Sequence, residues 1–493
     1  MSAPLRLPFR SVVVLGDGIV GLSAAVAFAR AMPDLKITVV ASTPDPAALA
    51  DHMPGSLPSI HAFHDRIGVT EEEAIAAGAT HRIGIRFTDW KADGSSFVHA
   101  YGDHGRPLGH GAFYQHWLNA RRSGKAAAFD AFSAAAALAR EGRFVHPDGD
   151  PASPFSRFEY ALRLDPIRYR DMLARHAERR RVAITAGKFA DIERREDGGV
   201  AALRLKDSRR LEADLFLDCA GPAAPIRSSL GGSLEDWSEA LPCDRMLLAQ
   251  GPPQPLTSCD EVTAVAAGWR WSAPLRDRTM TGFAYSSALT STMQAARLFD
   301  TSSEPVKLHP GFRTDPWLGN VLALGDAAIA IDPLEWTNLH LAQSAIARAL
   351  DLLPGRDCHP LEVAEYNRRT RQQAGRARDY QSAHYHAGQP RRGEFWKMAS
   401  RAARPESLAH TLDEFERRGR LPHYEEESFG KESWLALLLG LGLVPTRSDP
   451  VTSSADPVRM EAALRALAAS TASLPAQVPL YAEYLSRLAS PHR

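Results

Sequence analysis

SVVVLGDGIVGLSAAVAFARA, residues 11–31, passes from a run of valines through a tight glycine turn into a run of small residues. The valines predict a buried strand, Gly16, Gly18 and Gly21 a GxGxxG turn, and the alanines a helix lying close on that strand. Glycines at this spacing let backbone N–H groups approach a pyrophosphate, and the helix N-terminus favours its negative charge. ITVVAS, residues 37–42, predicts the second strand of a βαβ unit. Dinucleotide folds usually end that strand on an acidic residue that receives the ribose hydroxyls. Here Ala41 stands in its place, with Ser42 the nearest hydroxyl, so a weak hold on the cofactor is expected.

Further along, LEADLFLDCAG (211–221) predicts a strand returning to the first sheet, and VLALGD (321–326) a strand ending in a second turn. Gly325 and Asp326 suit a phosphate- or ribitol-facing turn, or an ordinary N-cap for a long helix that follows. So far downstream of a GxGxxG turn, the pair favours FAD over NAD. Between these landmarks the pattern predicts a helix over Glu71–Ala77, a strand over HRIGIRFTDW (81–90), an amphipathic helix within Ala126–Arg140 and a charged helix over 168–181. The fold class is α/β, an FAD-binding, Rossmann-like GxGxxG fold of the flavoprotein-monooxygenase type with a mostly helical C-terminal part. We divide it into residues 1–357, an FAD-binding module with interleaved substrate-side strands and helices, and residues 358–493, a helical region capping the substrate.

Bulk composition removes several function classes. Of the 493 residues, 58 are basic and 58 acidic, and zero net charge offers nothing to a nucleic acid or an anionic membrane surface. Cys219, Cys243, Cys259 and Cys358 are far apart and form neither a disulfide framework nor a zinc site, which suits a reducing cytoplasm and predicts no metal. The apolar stretch Trp434–Val444 is too short to cross a bilayer and carries Gly440 and Gly442.

One further group of segments carries a family resemblance. WRWSAP (269–274) resembles the WxWxxP element of flavin-dependent tryptophan halogenases. GATHRIGIRFTDW (78–90) is similar to the family segment carrying an active-site lysine, FVHAYG (97–102) to one lining the substrate pocket, and DPLEWTNLHL (332–341) to one carrying a glutamate. SWLALLLGLGLVP (433–445) also follows the family pattern. The matches keep family order from Val12 to Pro445.

The resemblance implies a chemistry in which reduced FAD, supplied by a separate flavin reductase, and oxygen convert halide to an oxidant that travels to an aromatic substrate. It implies a catalytic role for Glu335, a halide position at Thr337 and Asn338, and a barrier along the oxidant's tunnel at Trp269, Trp271 and Pro274. His99 and Tyr101 match residues that sandwich an indole. The lysine position falls on Arg82, with His81 taking it over if the alignment slips by one residue. Arginine stays protonated and is a poor nucleophile, so a covalent relay is not expected there, whereas a histidine can exchange protons near neutral pH.

Some positions depart from the family. DHMPGSLPSI (51–60) stands where the family has a GxGExT strap over the flavin, and of that strap Pro58 and Ser56 match. Trp336 replaces a serine and Asn338 a glycine. The leading expectation is an FAD-dependent halogenase acting on an indole or other electron-rich aromatic. A flavin monooxygenase with changed chemistry and a catalytically inactive binding protein on the same scaffold are the alternatives. A homodimer is left open.

Overall fold

A computed structural model describes residues 7–42, 44–388, 391–452 and 454–489 of the chain. Backbone contacts divide it into two compact units, each assembled from three stretches of chain. One holds the chain up to Ala79, Leu164–Asp244 and Val306–Arg376; the other holds Thr80–Arg163, Arg245–Pro305 and the chain from Ala377 on. The position 357/358 lies inside the first unit.

The first unit is built on the glycine-turn segment. β1 (Ser11–Leu15), α1 (Ile19–Ala31) and β2 (Lys36–Ala41) form the βαβ unit, with β1 and β2 parallel. Leu215–Asp218 pairs with the other edge of β1, also parallel, and Val321–Ala323 pairs with Leu215–Asp218 in turn. The return to the first sheet predicted from LEADLFLDCAG is therefore present. Ala183–Ala186 extends the sheet beyond β2. Val13, Leu15 and Val40 join Val200, Leu203 and Leu205 of a three-stranded antiparallel sheet in one buried cluster. Helix α1, together with the helices Pro166–Arg179 and Thr337–Asp351, forms the layer that holds the glycine turn. A strand buried on both faces needs no polar alternation, which is why β1 reads as an unbroken run of valines.

In the second unit the main sheet runs Arg245–Gly251, Thr279–Tyr285, Gly268–Pro274, Cys259–Val265, Gly84–Thr88 and Phe97–Ala100. All neighbours are antiparallel except Cys259–Val265 and Gly84–Thr88. The chain beyond it is helical, from Glu394–Arg401 to Tyr481–Ala489.

Three local expectations need correction. HRIGIRFTDW is not one strand: Thr80–Arg82 pairs with Ala161–Arg163 in a ladder of its own, and Gly84–Thr88 belongs to the main sheet. Gly84 permits the change, because a Cβ there would lie 2.5 Å from the His99 carbonyl oxygen. Ala126–Arg140 splits into a 3-10 turn, Phe129–Phe132, and a helix, Ala134–Arg140, capped by the Ser133 hydroxyl. Gly325–Ala327 is a 3-10 turn followed by a two-residue strand, Ile329–Ala330, so Asp326 does not cap the long helix, which starts at Thr337.

Candidate functional site

In the first unit, Gly16 has φ +108°, and a Cβ on it would lie 2.6 Å from the Cys219 carbonyl oxygen. A Cβ on Gly21 would lie 2.0 Å from the Gly16 carbonyl oxygen, so turn and helix meet backbone to backbone. Gly18 caps α1 in an extended conformation without a side-chain partner of its own. The carboxylate over this helix end comes from elsewhere: Asp51 Oδ1 accepts the Val20 N–H at 2.8 Å. A Cβ on Gly18 would lie 2.3 Å from Asp51 Oδ2. Burial, reinforced by nearby Asp17, pushes the Asp51 carboxyl up to about 6 against the pull of the Val20 N–H, His52 and Arg170.

A cavity of about 900 Å³ opens beside the turn, lined among others by Gly18, Ala41, Ser42, Asp51, Arg170 and Lys188. It lies at the carboxyl ends of β1, β2 and Ala183–Ala186, where an open α/β sheet takes a nucleotide. Ala41 does end β2, so no ribose carboxylate comes from that strand. Asp17 is nearby, but it accepts the Ser42 N–H and is ion-paired to Arg170.

A second cavity of about 430 Å³ is lined among others by Asp45, Leu49, Pro222, His309, Asp326 and Ile331. Gly325 has φ +62° and lies against Val20. Asp326 is buried, and desolvation pushes its carboxyl up to about 8. Its Oδ2 accepts the Ala50 N–H at 2.9 Å. Glycine turn and second turn are thus both engaged by the one-turn helix Leu49–His52. The glycines and the cavities suit an FAD, and Asp51 occupies the N-terminal end of α1 at the glycine turn.

Glu335 and Trp336 precede the helix Thr337–Asp351, and both have left-handed backbones, φ 64° and φ 58°. A side chain at such an angle costs about 1–3 kcal/mol and persists only where surroundings impose it. Glu335 is buried rather than lying at an exposed helix start, and Thr337 and Asn338 are buried beside it. The Asn338 amide donates to the Ile331 carbonyl at 2.8 Å. The Trp336 indole lies on Gly55, where a Cβ would come within 2.1 Å of its Cγ.

In the second unit, Arg82 and Asp260 are both fully buried, with Arg82 Nε 2.8 Å from Asp260 Oδ2. Arg163 Nε donates to the other oxygen at 2.7 Å. The Arg82 guanidinium also sits 5.3 Å from the centre of the Tyr101 ring. His81 stacks on Phe144 at 4.5 Å and pairs with the Tyr481 hydroxyl. His99 is enclosed by Tyr101, Tyr380 and Phe429. The Trp269 indole N–H donates to the Tyr385 hydroxyl at 2.9 Å. Trp271 lies over Gly282, whose Cβ would fall 2.2 Å from the indole nitrogen, and the Pro274 carbonyl accepts from Arg163.

A sequence model of the tryptophan halogenase family matches residues 11–457. The chain belongs to the tryptophan halogenase family. Among solved structures it is similar to BrvH, a flavin-dependent halogenase from Brevundimonas sp. BAL3, with 33% identity, a TM-score of 0.91, and 97% of this chain and 99% of that one covered. Xcc4156, a flavin-dependent halogenase from Xanthomonas campestris, is similar at 31% identity and TM-score 0.90, covering 97% of this chain and 98% of that one. Tryptophan 6-halogenase SttH of Streptomyces toxytricini is 23% identical over 97% of this chain and 98% of its own length.

Membership makes the chain an FAD-dependent, halogenase-like oxidoreductase whose family uses flavin reduced by a separate reductase, with halide as substrate. Among the described residues no helix is long and apolar enough to cross a membrane. Within this halogenase scaffold, Asp51, Arg170, Asp260 and Arg163 are residues that sequence reasoning did not single out. Asp51 carried one signal, an acid at the head of the segment aligned with a glycine-rich strap. Asp260 carried none, since a strand aspartate has no mark of a buried ion pair.

Proposed function

We propose that this halogenase halogenates an indole or another electron-rich aromatic, with Glu335 as the carboxylate that orients the oxidant and takes the proton leaving the ring. The observation that carries this reading is a buried carboxylate on two successive left-handed residues, a strained arrangement of the kind that clusters at functional sites. FAD, when bound, supplies the reduced flavin that activates oxygen for halide oxidation. Gly16, Gly18 and Gly21 would hold its phosphates, and Gly325 and Asp326 would face its ribityl side. Thr337 and Asn338 are assigned to the halide. Trp269, Trp271 and Pro274, held by Tyr385, Gly282 and Arg163, are assigned to the barrier against direct hydroxylation. His99 and Tyr101 are assigned to the substrate faces, and Arg82 and His81 to the lysine position. A cytoplasmic location is supported by four cysteines that are all free and buried.

The test is turnover of an indole panel by purified protein with FAD, a flavin reductase, oxygen and bromide, read by mass spectrometry. Bromide-dependent product that falls by about 100-fold or more in Glu335→Gln carries the reading. A variant that brominates at the wild-type rate sinks the role of Glu335.

A second reading, oxygenation of the same substrate class without halide, is favoured by the Arg82–Asp260 pair. A buried guanidinium engaged with a carboxylate offers no amine to relay a halogen. Oxygenated product formed equally well without bromide would select it.

A further inference from the structure

Two adjacent residues of one short helical turn occupy both points at which the fold would grip FAD. Asp51 brings a carboxylate to the Val20 N–H, at the helix end where a pyrophosphate belongs, and fills the hollow that Gly18 leaves open. Ala50 brings its N–H to Asp326 on the second turn. On one side of this turn of helix, Asp51 and His52 line the larger cavity; on the other, Asp45, Ala47 and Leu49 line the smaller one.

From this arrangement we infer that Asp51 is an internal stand-in for a cofactor phosphate, so that FAD binds only to chains in which the Leu49–His52 turn has left the glycine turn. The inference rests on reading the glycine turn as the FAD site. Its physical basis is exclusion. The Val20 N–H cannot serve a carboxylate and a phosphate at once, and no atom of a phosphate fits where Asp51 Oδ2 stands 2.3 Å from a would-be Gly18 Cβ. Charge acts in the same direction. Asp17 and Asp326 both lie close enough to Asp51 to act on its titration or be acted on by it. Arg170, which with His52 reaches this cluster, is already ion-paired to Asp17. A pyrophosphate arriving while Asp51 remains would add two negative charges beside the carboxylates of Asp17 and Asp51.

When only a fraction of the molecules is competent, the apparent dissociation constant rises by the inverse of that fraction. Removing the stand-in therefore tightens binding without adding a contact. Asp51→Gly takes away both charge and bulk, whereas Asp51→Asn keeps the bulk and removes the charge.

The experiment is a fluorescence titration of the full chain with FAD, oxidised and photoreduced, for wild type, Asp51→Asn and Asp51→Gly. Circular dichroism establishes that each is folded, and hydrogen exchange over residues 44–58 of the wild type is followed with and without FAD. The expected order of affinity is glycine, then asparagine, then wild type, with the glycine variant at least about tenfold tighter than wild type. Exchange over the segment should rise when FAD is added. Equal constants in all folded forms, or FAD binding with no rise in exchange, overturn the inference and leave the FAD site standing. Absence of FAD binding in every folded form overturns the site and the inference together. Should the glycine variant fail to fold, the asparagine variant and the wild-type exchange decide.

Discussion

Asp260 Oδ2 lies 2.8 Å from the Arg82 Nε, and neither side chain is exposed to solvent. Arg163 takes the other oxygen, so one carboxylate serves two buried guanidinium groups. Removing one member of such a group leaves uncompensated charge in the interior, which costs about 3–5 kcal/mol. Asp260→Asn should lower the unfolding free energy from denaturant titration by that amount, and an effect below about 1 kcal/mol would show that the guanidiniums are solvated.

Arg82→Lys separates two tasks for the same residue. Lysine weakens a two-pronged arrangement and lowers the melting temperature, and with Arg82 assigned to the lysine position it should also raise bromide turnover on indole. A lower melting temperature with turnover at the wild-type level would make Arg82 a holder of Asp260 alone.

Glu335 offers a test in which stability and activity move oppositely. Glycine at a left-handed position relieves backbone strain, so Glu335→Gly should match or exceed wild-type stability, by up to about 1 kcal/mol, while losing halogenation. Glu335→Gln should lose activity with FAD affinity unchanged. Loss of stability in the glycine variant would mean that the buried carboxylate is a structural partner first.

The pH dependence of stability has a sign fixed by buried groups of both kinds. Desolvation holds the carboxyls of Asp51 and Asp218 up at about 6 and that of Asp326 at about 8. The folded chain then keeps protons that the unfolded chain has released, so their contribution is complete below about pH 4 and is lost as pH rises through those values. Burial depresses His64 to about 3 and His340 and His386 to about 4, and these favour the folded state increasingly up to about pH 6.5. The two sets oppose each other in acid, and above pH 6.5 Asp326 is left. Urea denaturation between pH 6.5 and 8.5 should show stability falling, by at most about 1.4 kcal/mol per pH unit. Asp326→Asn should flatten that fall; an unchanged slope would sink the assignment.

Trp271 can be moved without being replaced. Gly282→Ala puts a methyl group 2.2 Å from the indole nitrogen, which the ring must leave at a cost of about 1–3 kcal/mol. If Trp271 guards against direct hydroxylation, the product mixture should shift towards hydroxylated indole. An unshifted mixture in a folded variant would make Trp271 ordinary core.

The first sheet was legible because its strands are covered on both faces and its turn needs glycine. The strand Leu215–Asp218 was found from its apolar run alone. HRIGIRFTDW misled because alternation continues through Ile83 while hydrogen bonding changes partner there, and periodicity records faces, not partners. The candidate site residues were proposed from family order, and their surroundings were not legible. Nothing local marks His99 as enclosed by Tyr380 and Phe429, or Arg82 as bound to Asp260, because those partners are more than a hundred residues away in the chain.

The three glycines of the turn are retained for different reasons. Gly16 and Gly21 are demanded by the protein's own backbone, at Cys219 and at each other, whether or not anything is ever bound. Gly18 alone answers to whatever fills the cradle, and here an aspartate fills it. A lineage on this scaffold that gave up flavin would go on spelling most of the dinucleotide fingerprint, and in such a lineage the middle glycine would be held by the aspartate alone.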